Sequence, residues 1–493
     1  MLKQPWEGQR DLHQLSMSKK SVFCVAPFVA LNTRGHGNIR VCCSILKTDR
    51  GIPKEMTVDD NNKAYEERQS DFIYNGSYYN LTLDSFEEIW NSPFYKDMRK
   101  KMVVGKPISN CAYCYDMEKN GLWSKRMGRN LHFLGNPEGD YETNLSTEPL
   151  HQKTSQLIRN CIQSEYVATE TPQWLELRFS TICNLRCVMC SPSLSTSLYE
   201  EYDSNQSLLS DRQKGSLKIA SKIAETGQVR DSDFFMQEIR KISTKGLFFE
   251  FRGGEILQDK KMLKFMEELS TEERAPQMML DITTNGIGLN QDHIKILNRF
   301  KGGKLKISVD AFERENELIR YPSKWKMTVN ALKQFKGLHK GWVPYVQPTL
   351  SAFQAPTIDR LLLFLEKFSL EEGIDLRVNV TKVRGFEHLM LNLVPLEDRV
   401  AAAESAMAIA QKSFLCAPDA IYGNKNRESI IGLSQALREP QIKDAKSLRN
   451  LFAHVDSLSA IRKINYYDTF PHLARMKKEF EEILLQEHDS ARY

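Results

Sequence analysis

The sequence predicts an α/β protein: a partial barrel of six β–α units, preceded by a cysteine-bearing N-terminal region and followed by helices. Three observations carry that reading. Strand-like apolar runs alternate with helical segments from Trp174 to about residue 383. Five of the ten cysteines lie before residue 115 and three more within residues 183–190. Beyond Pro395 the strand-like runs give way to amphipathic helical patterns.

Composition bounds the possibilities. A chain of 493 residues with 41% hydrophobic and 27% charged residues has the make-up of a globular, soluble protein, and its length suggests about three units. The 68 basic and 63 acidic residues leave a net charge of only +5, spread along the chain. Nucleic acid is therefore not indicated as a partner, and neither is an anionic membrane. No apolar run is long enough to span a bilayer. The run "VFCVAPFVAL" leads into "NTRGHGN" rather than a cleavage site, which argues against a signal peptide. The expectation is a cytoplasmic protein, where thiols stay reduced and grouped cysteines more often bind metal than form disulfides.

Taken in order, residues 21–43 read as two strands around a turn in which Gly35 and Gly37 are free to adopt positive φ. After a polar stretch, "LDSFEEIWNSPFYKDMRKKMVVGKPISNCAYC" reads as a helix. Asp84 and Glu87 stand at capping-box spacing, Phe86, Ile89, Trp90, Phe94 and Met98 recur at helical intervals, and Gly105 and Pro107 end it. That helix delivers the chain to Cys111 and Cys114. Residues 137–172 are polar and aperiodic, the pattern of a linker.

Six strand-like runs follow: "WLELRFS", "GLFFEFRGG", "MMLDITTNG", "KLKISVD", "VPYVQPTL" and "DLRVNVTKV". Helical segments such as "DKKMLKFMEELS" and "DRLLLFLEKFSL" separate several of them. Near-continuous apolar strands alternating with helices argue for a parallel sheet or barrel, here short of the full eight units. The polar spacer 191–244 suits a solvated insertion better than a lid. In the last helix Leu473, Met476, Phe480 and Ile483 share one face, as expected of a cap packed on the barrel. The expected domains are thus 1–136, a linker 137–172, a barrel 173–394 and a helical extension 395–493.

The densest chemical signal is "STICNLRCVMCSP", residues 180–192. Cys183, Cys187 and Cys190 stand at i, i+4 and i+7, which would suit three core cysteines on one helix face. They directly follow an apolar strand, however, where a parallel α/β fold places a ligand-binding loop. Structural zinc usually takes four ligands from two short pairs. An iron–sulfur cluster held by three thiolates, with one iron open, fits the triplet better.

"CNLRCVMC" resembles the C-x3-C-x2-C signature of the radical S-adenosylmethionine enzymes. The resemblance implies that Cys183, Cys187 and Cys190 hold a [4Fe–4S] cluster whose open iron binds S-adenosylmethionine. Met189 stands where that family often has an aromatic residue beside the adenine. "FRGGEI" resembles the family's Gly-Gly-Glu-Pro strand end, with Ile256 in place of proline. By that match Gly253 and Gly254 would let backbone approach the methionine ammonium, and Glu255 would complement its charge. "ISVDA" resembles the ribose-contacting strand end and nominates Ser308 and Asp310, while "TTNG" at Thr284 to Gly286 would help line the cavity. The resemblance spans about residues 174–383 and implies a TIM-like barrel. It also implies reductive cleavage of S-adenosylmethionine to a 5′-deoxyadenosyl radical, which abstracts hydrogen from a substrate.

The N-terminal cysteines Cys24, Cys42, Cys43, Cys111 and Cys114 form a second set. Two strands with a turn, a helix and then C-x2-C resemble the twitch module, half of the auxiliary-cluster module called SPASM. The resemblance implies one auxiliary cluster, of the [4Fe–4S] kind, on Cys24, Cys42, Cys111 and Cys114, with structural zinc on the same thiolates as the rival. Neighbouring strand residues point to opposite faces, so only one of Cys42 and Cys43 can serve, and the module's spacing favours Cys42. The module here precedes the barrel, whereas it usually follows. Cys161 and Cys416 stand alone and read as structural, and His36 reads as a turn residue. Family members with such modules often modify peptides or proteins, which makes a peptide or protein side chain the leading substrate. A small metabolite, carbohydrate or nucleotide is the alternative, and a non-catalytic electron-transfer protein a third. An electron donor such as flavodoxin or ferredoxin is implied as a partner.

Overall fold

A computed structural model of the chain describes residues 22–42, 79–119, 124–135, 148–225, 232–383 and 385–490. The chain divides into two compact units, one of Met1–Ser180 with Gly227–Phe251, the other of Thr181–Thr226 with Arg252–Tyr493. It is mixed α/β, and its strands are mostly parallel. Cys43 lies outside the described residues.

In the first unit the expected pair of strands begins later than the sequence suggests. Cys24 precedes a short helix, Ala26–Val29, with Pro27 in its first turn, where the missing N–H costs nothing. Strand β1 (Ala30–Thr33) then pairs antiparallel with β2 (Ile39–Arg40). Of the two turn glycines, Gly37 takes the positive φ, +87°. A side chain there would also meet Asn80 Oδ1 at 2.2 Å, because the Asn80 amide fastens the turn by donating to His36 O and Asn38 Oδ1. Strand β3 (Trp174–Arg178) runs parallel to β1, with Ala30 opposite Trp174. Strand β4 (Phe248–Arg252) completes the order β2-β1-β3-β4.

The single helix expected after Asp84 is two helices, Phe86–Trp90 and Pro93–Val103, each N-capped by a serine, Ser85 and Ser92. Pro93 explains the break: it cannot donate within a continuing helix but suits the first turn of a new one. Asp84 therefore does not cap. Its carboxylate accepts from Asn80 N at 2.8 Å. Between the helices and β3, the stretch read as a linker contains a helix, Glu148–Gln163, whose Leu157, Ile158 and Cys161 are buried.

The second unit holds β5 (Met279–Thr284), β6 (Gly302–Ile307), β7 (Trp342–Val346) and β9 (Arg377–Val378), parallel and adjacent in that order. The runs "VPYVQPTL" and "DLRVNVTKV" are each interrupted, and their ends form a separate parallel pair, β8 (Thr349–Leu350) and β10 (Thr381–Lys382). Alternation sorts the two faces: Leu280, Ile282, Leu305 and Ile307 are buried apolar residues. Asp281 and Lys306, on the other face, form an ion pair at 2.7 Å. The spacer after the cysteine loop is helical over Thr196–Asp203, Asp211–Glu225 and Asp233–Ser243.

Helices Leu396–Lys412, Gly423–Leu437, Ala445–Arg462 and Pro471–Ser490 end the chain. Leu473, Met476 and Phe480 are buried as expected, but Ile483 is 52% exposed, so the apolar face stops one turn earlier. Among the described residues no helix is long and apolar enough to cross a membrane.

Candidate functional site

The stretch from Thr181 to Ser195 is irregular loop, so the three cysteines do not share a helix face. Its shape is held by local and distant hydrogen bonds. Ser195 Oγ donates to Leu185 O at 2.7 Å, Ser197 Oγ donates to Cys183 O at 2.7 Å, and Leu185 N donates to Cys183 Sγ at 3.4 Å. Arg186 N and Val188 N donate to Tyr321 O and Ile319 O, at 2.6 and 2.9 Å. This second anchor comes from more than a hundred residues downstream and has no local signature.

The three thiols lie close enough to disturb one another. Burial and then the neighbouring Cys187 push Cys183 up to about 11, and burial with Cys187 and Cys183 pushes Cys190 up to about 12. Burial also raises Cys187, which Arg320 opposes. Three thiolates cannot share such a place unless positive charge arrives with them, and the donor set therefore fits a cationic iron core.

Around this loop the other nominated residues take distinct places. A Cβ on Gly254 would sit 2.2 Å from Ile182 O and 2.6 Å from Thr181 O. The glycine is therefore required by the start of the cysteine loop itself, to which Glu255 N also donates, at 2.6 Å on Ile182 O. Gly253 supplies backbone at the same bend, with φ +157°. The Glu255 carboxylate is buried and accepts from Asn285 N, Leu257 N and the Thr284 hydroxyl. Asn285 in turn donates to Asn184 within the loop at 2.8 Å. Burial raises the Glu255 pKa, and these donors lower it again. "GGE" and "TTNG" thus form one bonded frame for the cysteine loop.

Ser308 and Asp310 differ in kind. Asp310 is 1% exposed, and both carboxylate oxygens are taken, by Arg320 at 2.7 Å and Thr349 N at 2.9 Å. Ser308 is half-buried, with its backbone N–H on Thr284 O. Arg320 was not nominated by the sequence. Burial opposes its charge, but Cys187, Asp310 and Cys183 together hold its pKa above the ordinary value. It is a partly buried cation that faces Cys187 and Cys183. Met189 packs against the apolar cluster of the C-terminal helices, with Val188, Leu451 and Val455.

The first unit gathers Cys24, Cys42, Cys111 and Cys114 around one cavity, which Lys125, Arg126 and Arg129 also line. Burial and then Cys42 push Cys24 up to about 12. Burial, Cys42 and Cys24 hold Cys111 well above the thiol range, and burial raises Cys114. Backbone N–H groups of Ala26 and Arg126 lower Cys24 and Cys114 respectively. Arg126 is fixed by Glu118 and by Phe23 O. Four thiols around a cavity with three cations suit an anionic metal–thiolate centre. Among the described residues, no group of three or more His, Cys, Asp or Glu stands ready to hold a single metal ion. Cys161 and Cys416 are buried apart from both sets.

Residues 177–345 match the model of the Radical SAM superfamily, an enzymatic superfamily. Three solved structures of SuiB from Streptococcus suis are similar to this chain. The structure bound to S-adenosylmethionine has 15% identity and a TM-score of 0.30 over 61% of this chain and 58% of that one. The structure bound to the precursor peptide SuiA has 13% identity and a TM-score of 0.28 over 74% and 64%. A third has 15% identity and a TM-score of 0.31 over 64% and 62%. The match thus spans about three fifths of those chains. No curated protein matches the sequence.

Proposed function

We propose that the chain is a radical S-adenosylmethionine enzyme that modifies a peptide or protein side chain. One observation carries the reading: three thiols, Cys183, Cys187 and Cys190, on one loop framed by Glu255, Asn285 and Gly254, within the segment that matches the Radical SAM superfamily. A [4Fe–4S] cluster and S-adenosylmethionine bound there would supply one-electron cleavage of the cofactor and hydrogen abstraction from the substrate.

The chain's own residues do the rest. Cys183, Cys187 and Cys190 bind the cluster, and Arg320 offsets the gathered negative charge at Cys187 and Cys183. Glu255 orients the loop through Asn285 and Asn184, a positioning task rather than direct contact with an ammonium group. Gly253 and Gly254 bring the second strand end against that loop, and Ser308 offers a hydroxyl for the ribose. Asp310 serves through Arg320. In the first unit Cys24, Cys42, Cys111 and Cys114 hold an auxiliary cluster in electronic contact with a donor such as flavodoxin or ferredoxin. The peptide reading is supported by the kind of module that these four cysteines resemble.

The test uses anaerobically reconstituted protein with S-adenosylmethionine and a strong reductant. 5′-Deoxyadenosine formation together with a mass change in a co-expressed peptide supports the proposal. A mass change confined to small molecules of a cell extract overturns the peptide assignment, and no 5′-deoxyadenosine overturns the enzyme reading.

A further inference from the structure

We infer that helix Ala445–Arg462 clamps the cysteine loop, with Arg462 and His454 as positioning residues for the carbonyls of Arg186 and Val188, the two residues on either side of Cys187. The inference rests on the reading of Cys187 as a cluster ligand.

The geometry is reciprocal. The N–H groups of Arg186 and Val188 are taken by Tyr321 O and Ile319 O. For the carbonyls of the same two residues, Arg462 Nη2 donates to Arg186 O at 2.6 Å, and His454 Nε2 lies 3.2 Å from Val188 O. A carbonyl can only accept, so Nε2 carries the proton. The ring is neutral, since burial and then Arg462 push its pKa down to about 4. Both backbone polar groups of Arg186 and both of Val188, the residues on either side of Cys187, are thereby engaged.

Arg462 is itself held immobile. Its Nε and Nη2 meet the two oxygens of Glu201 at 3.0 and 2.8 Å, and both side chains are all but fully buried. Its Nη1 donates to Tyr466 Oη at 2.6 Å, and Tyr466 Oη donates to Leu318 O. The guanidinium also lies 4.7 Å from the ring centre of Tyr321. A fork fixed at this many points sets the Arg186 carbonyl within narrow limits. The apolar contacts agree: Val188 is buried among Leu451, Val455 and Leu458 of the same helix, and Ile461 packs with Cys190 on a second cluster.

A helix more than 250 residues downstream therefore holds the backbone on both sides of the middle thiolate. Contacts that orient a metal ligand typically govern metal affinity by about ten- to a hundredfold. The consequence is that the C-terminal helices retain the cluster rather than merely covering the fold.

The test follows how fast reconstituted full-length protein loses its S-adenosylmethionine-responsive electron paramagnetic resonance signal in excess iron chelator. His454→Leu should shorten the half-time roughly tenfold. His454→Gln, which can still donate to Val188 O, should restore most of it at an equal melting temperature. Arg462→Lys keeps the charge and loses the fork, and should also shorten the half-time, which covers the case of a misfolded leucine variant. Wild-type retention in both His454→Leu and Arg462→Lys would overturn the clamp, as would a glutamine variant as labile as the leucine one. A wild-type signal that never responds to S-adenosylmethionine would instead overturn the radical reading on which the clamp rests.

Discussion

Gly254→Ala perturbs the site by a single methyl group, and its effect can be worked from the backbone. The new Cβ would stand 2.2 Å from Ile182 O and 2.6 Å from Thr181 O, whereas ordinary contact begins at 3.4 Å. Both obstacles are backbone, so no side chain can swing aside. The start of the cysteine loop would have to retreat by about 1 Å, as overpacked interiors do at a cost of roughly 1–3 kcal/mol. That retreat breaks the bond from Glu255 N to Ile182 O, adding about 0.5–1.5 kcal/mol. A total of about 1.5–4.5 kcal/mol corresponds to a melting temperature lower by roughly 3–7 °C for a unit of this size. Cys183, one residue on, would move with the carbonyl, so reconstituted iron content should fall too. Circular dichroism melting of the metal-free protein and iron analysis after reconstitution give the two readouts. An alanine variant that melts within about 1 °C of wild type and loads iron normally would refute the packing of this glycine on the loop.

Other predictions separate the remaining residues. Ser308→Ala should weaken S-adenosylmethionine binding about two- to tenfold, the worth of one hydrogen bond, with melting unchanged, as isothermal titration would measure. Asp310→Ala should instead destabilise the fold by about 1.5–3 kcal/mol, the worth of a hydrogen bond to a charged group, because it removes the carboxylate that pairs with the partly buried Arg320; an unaltered melting curve would contradict the pairing. Cys24→Ala or Cys114→Ala should lower iron from about eight to about four per chain, the expectation for losing one of two cubane clusters, while 5′-deoxyadenosine formation continues and substrate modification stops. For pH, burial and then His454 push His388 down to about 2, and burial and then Arg462 push His454 down to about 4. Both folded values lie below the unfolded value near 6.5, so the unfolded chain binds more protons in between. Stability should be full above about pH 6.5 and fall by about 1.4 kcal/mol per pH unit for each ring as pH drops toward 4. Urea titrations give the slope, and a flat profile from pH 6.5 to 4.5 would contradict it.

What the sequence disclosed and what it withheld follow from distance along the chain. The cysteine triplet, the C-x2-C pair and the strand ends "GGE", "TTNG" and "ISVD" are local patterns, and the six strand-like runs around them are strands in the structure. The break at Pro93 was also open to inspection, since Ser92–Pro93 is a cap followed by a first-turn proline. The helix Glu148–Gln163 was missed because its buried stripe runs through Thr154, Leu157, Ile158 and Cys161. Its small and polar members blur the apolar period. Arg320, His454 and Arg462 were illegible for a different reason. Each acts on the cysteine loop from more than 120 residues away, and nothing in its own neighbourhood distinguishes it from a surface cation or a core histidine. Glu255 and Asp310 were legible as positions, but the donors that meet their carboxylates were not, because the fold brings those donors from other strand ends.

The most direct test of the central claim is iron and sulfide analysis of the anaerobically reconstituted chain, followed by assay of 5′-deoxyadenosine with a strong reductant. Near eight irons per chain are expected, as two cubane clusters on seven cysteines require, with S-adenosylmethionine-dependent 5′-deoxyadenosine that vanishes in Cys187→Ala. Iron bound without any 5′-deoxyadenosine would contradict that claim and leave an electron-transfer protein in its place.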